Sequence, residues 1–464
     1  MKNIKFKLAL IIFGFTFQAV KGQAVKVHYV DLRDNAAVER VPLKAFHSDS
    51  VGKAQERIVV HPDIRFQTIN GVGGAFNEIG GEALMTLSAD KREILMEGLF
   101  SEKAGAGFSF CRTAIGASDF GIDAYSYSET AEDYHMEKFS IDREKRSVIP
   151  YLQLAFKQNP NLKMFASPWS PPGWMKYSGL MDKGIDAGKK NRLIDDKKIY
   201  DAYALYFLKY VKAYAQEGVS IDRILIQNEQ DLNTNYPSCN MPVEQMVTLV
   251  QQHIHPLFQK NKLKTELWAG TFRAADGAID GVQFMSEPAH FKGFDGVGIQ
   301  YTNGRFISDM KALNPQMDIM HTESDCYNGD NSMEQARKRF DEIASYINAG
   351  SENFTYWNMI LNETGKSGWN WKQNSLVTID RGNQQITYNP DYAVMFLMST
   401  YIRPGYVRVA HFAYSNVMTL YNGKNATLFI QNNSNKIQSK ECVVGEKTYK
   451  FSIPPLSLCA VELL

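Results

Sequence analysis

At 464 residues, with 44% hydrophobic and 22% charged side chains, the chain holds enough apolar material for a buried core and room for one large domain with a smaller companion. That excludes a mini-protein and a chain that is mainly disordered. Lys and Arg together number 51 against 50 Asp and Glu, a formal charge of +1, so the basic footprint of a nucleic-acid binder is missing and the expected ligand is not a polyanion.

In chain order, Lys2, Lys5 and Lys7 precede an apolar run over residues 8–17 and small residues ending at Gly22. This is the pattern of an export leader over residues 1–22, which predicts a secreted or periplasmic protein. The run is too short to span about 30 Å of hydrocarbon, and no later stretch is long enough, so no integral membrane segment is expected once the leader is removed. Residues 23–64 contain strand-like pieces at 25–30 and 57–60 but no room for a domain of their own. They are expected to pair with strands from the C-terminus.

Residues 65–400 repeat short β-rich apolar runs, each ending in polar or glycine residues and followed by helical periodicity, the grammar of a parallel sheet. The clearest helix has its stripe at Tyr203, Tyr206, Phe207, Tyr210, Val211 and Tyr214 and stops at Gly218. Strand ends are predicted near Gly71, Arg112, Ser167, Glu229, Gly270, Tyr301, Glu323 and Trp357, enough for a (β/α)8 barrel. A doubly wound open sheet is the alternative. Over residues 401–464 the period changes to two, at 406–410, 427–430 and 449–453, predicting a smaller all-β sandwich domain. The chain has five cysteines, an odd number. Their spacing shows neither a disulfide framework nor a zinc site, and Cys442 with Cys459 is the one pair to consider.

Two glutamates stand at predicted strand ends: Glu229 in Gln-Asn-Glu after the fourth strand and Glu323 in His-Thr-Glu after the seventh. Strands three apart on an eight-strand ring can aim both carboxyls into one cleft at the C-terminal face, where barrels of this kind carry their sites. Each glutamate alone reads as well as a residue tolerated in a helix's first turn. The pair suits glycoside hydrolysis, in which one carboxyl protonates the leaving oxygen while the other meets positive charge developing at the anomeric carbon. Competing chemistries have no support. There is no HExxH or GxSxG, Gly71-Val72-Gly73-Gly74 lacks the full dinucleotide pattern and reads as a tight turn allowing close backbone approach, and Asp325 with Asp330 lacks calcium-loop spacing. No cofactor or metal is expected.

Gly73-Gly74-Ala75-Phe76, Arg112 with Ile115-Gly116 and Ser118-Asp119-Phe120, Ser167-Pro168-Trp169-Ser170-Pro171-Pro172, Gln227-Asn228-Glu229, Thr322-Glu323 and Trp357-Asn358 occur in the order seen in glycoside hydrolase family 30, and the chain resembles that family over nearly its whole mature length. The family holds glucosylceramidases, β-glucosidases and endo-β-1,6-glucanases. The resemblance implies a (β/α)8 barrel with a β-sandwich built from both termini, and retention of anomeric configuration. It implies Glu229 as acid/base and Glu323 as nucleophile. Asp119, Trp169, Asn228 and Trp357 are implied to contact the sugar, and Arg112 to hold the nucleophile ionised. Two departures stand out: Gln230 replaces the usual Pro after Asn-Glu, and Gln300-Tyr301-Thr302 replaces a His-Trp-Tyr run at strand six. The tyrosine that approaches the nucleophile is then displaced or absent, with Tyr301 as a substitute. The expected substrate is a β-glucan, oligosaccharide or glycoside, with β-1,6-glucan first. Glucosylceramide hydrolysis, a xylan-directed hydrolase and a non-catalytic carbohydrate-binding protein are the alternatives.

Overall fold

The computed structural model describes residues 25–48 and 53–463. The leader predicted over residues 1–22 lies outside them. No described helix is long and apolar enough to cross a membrane.

Eight parallel strands follow one another around a barrel in sequence order: Gly71–Phe76, Phe110–Ala114, Lys163–Ser167, Arg223–Leu225, Glu266–Arg273, Gly296–Gln300, Asp318–His321 and Asn353–Asn358. The eighth pairs with the first from Asn353 opposite Gly71, and a parallel bridge from Ile319 to Ser351 joins the seventh to the eighth. That closure excludes the open doubly wound sheet. Two predicted strand ends need correcting. Gly71 begins its strand, and Gly270 lies inside one. The glycine run is therefore strand and not a tight turn, although the close approach is real. A Cβ on Gly73 would sit 2.3 Å from the Phe110 carbonyl oxygen, and one on Gly74 2.3 Å from Met359 Cγ, distances no side chain tolerates.

The barrel interior follows from strand parity, since residues two apart share a face. Phe110, Phe165, Leu225, Trp268 and Met320 form an apolar floor in the barrel. Two residues further along the same strands stand Arg112, Ser167, Gln227, Gly270 and Thr322. The change from apolar to polar along the inward face is what places a polar site on a rigid hydrophobic plug. The long helix Lys197–Gln216 packs its tyrosine stripe inward.

Strands from both ends of the chain make the second sheet, nine-stranded, around its own core of Val27, Ile58, Leu428, Phe451 and Val461. Val25–Asp31 pairs antiparallel with Ser457–Leu463. Glu56–Thr68 lies between Val407–Phe412 and Gln438–Val444. The edge strands Lys44–Ser48 and Lys447–Ile453 meet where the Ser452 amide donates to Ser48 Oγ at 2.9 Å, so the sheet curls back on itself. All five cysteines are free and buried, and Cys442 and Cys459 pack as small apolar groups in this core. A small sheet of Ile360–Asn362, Val377–Asp380 and Gln385–Tyr388 follows the last barrel strand. It is an insertion the βα pattern does not anticipate.

Candidate active site

The two glutamates leave their strands in different ways. After Leu225 the chain runs on through Gln227 and Asn228, whose amide donates to the Pro168 carbonyl at 2.8 Å. Glu229 then takes a left-handed backbone, φ 44°, anchored by its amide on the Thr271 carbonyl at 3.1 Å. Tyr301 is likewise left-handed, φ 51°. Such conformations cost non-glycine residues about 1–3 kcal/mol and cluster at functional sites, where the surroundings hold a side chain in one direction. Glu323 follows the seventh strand directly, two residues past His321.

Arg112, fully buried, ties the pieces together. Its Nη1 donates to Glu323 Oε2 at 2.7 Å and to the Thr322 carbonyl at 3.1 Å. Its Nη2 donates to Asn228 Oδ1 and Ser167 Oγ, both at 2.7 Å, and its Nε reaches the same Oγ at 3.3 Å. A buried guanidinium is tolerated only when its donors are satisfied in this way. The indoles of Trp169 and Trp357 stack on each other with centroids 5.1 Å apart. The guanidinium carbon lies 4.6 Å and 5.2 Å from their ring centres. Five of the predicted residues, Arg112, Trp169, Asn228, Glu323 and Trp357, therefore meet in one connected cluster.

Tyr301 is neither displaced nor absent from the nucleophile position. Its hydroxyl donates to Glu323 Oε1 at 2.5 Å. Gln300 Nε2 reaches Glu323 Oε2 at 3.3 Å, while Gln300 Oε1 accepts from Thr322 Oγ1 at 2.6 Å. Here the left-handed turn at residue 301 brings a tyrosine to the carboxylate from one residue after the strand. A hydrogen bond to a buried charge contributes about 1.5–3 kcal/mol. Tyr301→Phe is therefore expected to lower kcat/KM roughly 10- to 100-fold with the fold intact, checked by steady-state kinetics beside a thermal melt.

Glu229 and Glu323 are only 8% and 4% exposed. Burial and then the charge of Glu323 push the Glu229 carboxyl up to about 8. Among the described residues no ion pair joins Glu229 to a cation, because Arg273 is held by Asp231 at 2.8 Å and Asp276 at 3.2 Å. Burial also pushes Glu323 upward, but Arg112, Tyr301 and Gln300 all pull it back. Asp119 is raised well above the carboxylate range by burial and by the charges of Glu323 and Glu229. Its Oδ1 is buried without a hydrogen-bond partner among the described residues. Gln230, where the family commonly has proline, is buried, and its main-chain carbonyl accepts from the Met241 amide at 2.9 Å.

Several contributors carried no sequence signal. Thr271 Oγ1 donates to Asn228 Oδ1 at 3.0 Å. Ser167, visible only as a motif letter, supports Arg112. Behind the Asp119 loop, buried Glu144 accepts hydrogen bonds from Tyr125 at 2.9 Å, Tyr127 at 2.6 Å and Tyr214. The Tyr127 hydroxyl in turn accepts from the Gly116 amide at 2.8 Å. Burial pushes Glu144 up to about 7 from 4.5. A folded pKa above the unfolded one gives stability that is complete below about pH 4.5 and lost as pH rises through about 7. Glu144→Gln should flatten the fall in Tm across that window, measured by melting the wild type and the variant at each pH. An unchanged slope would place the titration elsewhere.

Among the described residues no group of three or more His, Cys, Asp or Glu side chains is placed to hold a metal ion. The fold overlays SrfJ from Salmonella typhimurium with a TM-score of 0.85 at 20% identity, over 95% of this chain and 99% of that one, a likeness of fold alone. The barrel and its sequence relatives define the chain as a glycoside hydrolase. Residues 69–259 match the glycosyl hydrolase family 30 TIM-barrel domain. The chain is 27% identical over 436 residues to "Putative glucosylceramidase 3" of Caenorhabditis elegans, covering 87% of this chain and 81% of the relative. It is 33% identical over 217 residues to an endo-1,6-beta-D-glucanase of Aspergillus fumigatus, covering 44% and 43%.

Proposed function

We propose that the chain is an exported enzyme that hydrolyses β-glucosidic bonds with retention, with Glu323 as nucleophile, Glu229 as acid/base and β-1,6-glucan as substrate. The observation that carries this reading is the unequal setting of two carboxyls in one cleft. Glu323 is gripped by a cation and a tyrosine, which favours the ionised form. Among the described residues Glu229 has no ion-pair partner, and it lies near 8, which keeps its proton at neutral pH. Two carboxyls whose environments push them apart divide into base and acid.

In the first step Glu323 Oε attacks the anomeric carbon, the bond to the leaving oxygen breaks, and the proton of Glu229 passes to that oxygen. In the second, Glu229 takes a proton from water as the water oxygen displaces the glycosyl ester, restoring both carboxyls. Asn228, oriented by Arg112 and Thr271, is positioned for the sugar 2-hydroxyl, a contact that strengthens in the transition state. Asp119 Oδ1, a buried acceptor without a protein partner, suits a sugar hydroxyl, and Trp169 with Trp357 provides its wall.

Similarity to a β-1,6-glucanase supports the polymer reading. So does an aromatic file leading outward from Glu323: Tyr301 stacks on Tyr327 with centroids 5.9 Å apart, and Trp371 meets Tyr327 edge-on at 6.5 Å. Tyr327 and Trp371 are exposed. Tyr301, Thr302, Asp325 and Tyr327 line a cavity of about 500 Å³. The longer alignment to a protein named for glucosylceramide favours that lipid as a second reading. Turnover on aryl β-glucoside, β-1,6-glucan, xylan and glucosylceramide decides between them, and proton NMR of the first-formed anomer tests retention. An α-anomer first, or xylan alone cleaved, would overturn the reading. Export rests on residues 1–22 and is tested by the N-terminal residue of the protein recovered outside the cytoplasm.

A further inference from the structure

At the end of the barrel opposite Glu323, a crevice of about 580 Å³ lies where the second sheet meets two barrel helices, a size typical of sites for small molecules, about 300–1,000 Å³. Its walls come from five elements. Phe66 and Gln67 lie on strand Glu56–Thr68 and Arg408 on its neighbour Val407–Phe412. Lys311 belongs to helix Gly304–Leu313, and Asn348 to the last turn of helix Met333–Ala349. Asp318, the first residue of the seventh barrel strand, is also in the lining.

Three buried polar atoms in this lining have no hydrogen-bond partner among the described residues: Gln67 Oε1, Asn348 Oδ1 and Arg408 Nε. The amide orientations are fixed by their other ends. Gln67 Nε2 donates to the carbonyls of Ile347 at 2.6 Å and Ser351 at 2.8 Å, and Asn348 Nδ2 donates to that of Val417 at 2.8 Å. Lys311 and Asp318 answer each other at 3.9 Å. Arg408 has no carboxylate or carbonyl among the described residues; its guanidinium carbon lies 3.8 Å from the centre of the Phe66 ring, and that ring is half exposed. Buried polar atoms are nearly always paired, so three orphans around one crevice call for a ligand that supplies both donors and acceptors.

We infer that this crevice is a second carbohydrate-binding site, which holds a sugar unit of the polymeric substrate away from the point of cleavage. This rests on the reading of the enzyme as a glucan hydrolase. A pyranose fits the inventory because each hydroxyl donates to an amide oxygen and accepts from a guanidinium, and its C–H face packs on a phenyl ring. Inorganic phosphate fits it poorly, since the two amide oxygens need donors. A site on the far face of the barrel raises the local concentration of polymer without touching the chemistry.

The test uses the full chain. Four tetraoses, β-1,6-gluco-, β-1,3-gluco-, β-1,4-gluco- and β-1,4-xylo-, are first offered to the wild type, and the one cleaved fastest becomes the probe. Calorimetric titration of Glu323→Gln with that probe is expected to give two sites per chain, and one site when Arg408→Gln or Phe66→Ala is added. With Glu323 intact, Arg408→Gln should leave kcat/KM on aryl β-glucoside within twofold and raise KM on the soluble polymer about fivefold. A single site in Glu323→Gln, unchanged by Arg408→Gln and by Phe66→Ala, would overturn the second site while leaving the hydrolase reading standing. Displacement of the weaker site by inorganic phosphate at equal concentration would show an anion site and overturn it too. Failure to cleave any of the tetraoses would instead strike the glucan reading, and titration of Glu323→Gln with methyl β-glucoside would then decide the crevice by the same loss on Arg408→Gln.

Discussion

Glu323→Gln is expected to lower kcat on every substrate by roughly 10⁴-fold or more, because an amide cannot form the glycosyl ester and no other nucleophile stands beside Arg112. The neutral amide also leaves Arg112, fully buried, without its counter-charge. Some loss of Tm is therefore expected with the loss of activity, and binding of an uncleaved sugar must be shown before the kinetic result is credited to chemistry. Glu229→Ala is expected to divide by substrate. A 2,4-dinitrophenyl β-glucoside needs little protonation to depart, so its first step survives and the glycosyl-enzyme accumulates, seen as a burst and relieved by azide. An unactivated glucan loses both steps. Equal losses on activated and unactivated substrates would remove Glu229 from the role of acid.

What was legible in the chain divides along a physical line. The barrel showed because each strand is short, apolar on both faces and closed by a polar end, a local pattern. Glu229 and Glu323 showed because each follows a short apolar strand, and order along the chain fixes which strand each one ends, whereas Arg112 showed only through the motif it shares with family 30. Strand Glu56–Thr68 runs well past the recognised piece at 57–60. Its continuation alternates Ile64 and Phe66 with Asp63, Arg65 and Gln67, but Pro62 interrupts the run and neither face is buried, so it does not read as one strand with the piece before it. Thr271 and Gln300 were missed as site residues because their roles are set by partners on neighbouring strands, which no window along the chain contains. The reach of Tyr301 to Glu323 depends on a left-handed φ at one residue. Tyrosine has no special preference for that conformation, so nothing in its identity announces the turn. The crevice at Arg408 is less legible still, since its residues come from segments more than 300 positions apart (408 − 66 = 342).

The protonation split makes a sharper demand on Arg112 than activity alone. With Glu229 near 8 and the upward push of burial on Glu323 opposed by Arg112, kcat/KM should trace a bell in pH. The acidic limb marks Glu323 gaining a proton and the basic limb marks Glu229 losing one, though both limbs belong formally to a coupled set that includes Asp119. Replacing Arg112 by Met removes the positive charge 2.7 Å from Glu323 Oε2 and leaves the burial that pushes the carboxyl up. The nucleophile is then protonated at higher pH, so the acidic limb moves upward and the bell narrows from that side. Breaking a buried pair costs about 3–5 kcal/mol when one charge is left behind, and Glu323 escapes part of that cost by taking the proton. Arg112→Lys supplies the control. It keeps a positive charge near the carboxylate but cannot serve Ser167, Asn228, Thr322 and Glu323 together. Its acidic limb should stay near that of the wild type while kcat falls through misplacement of Asn228. The measurement is kcat/KM on an aryl β-glucoside from pH 4 to 9 for the three proteins, each shown folded by its melt. If Arg112→Met lost activity with an unmoved acidic limb, Arg112 would hold the site's shape without setting the charge of Glu323.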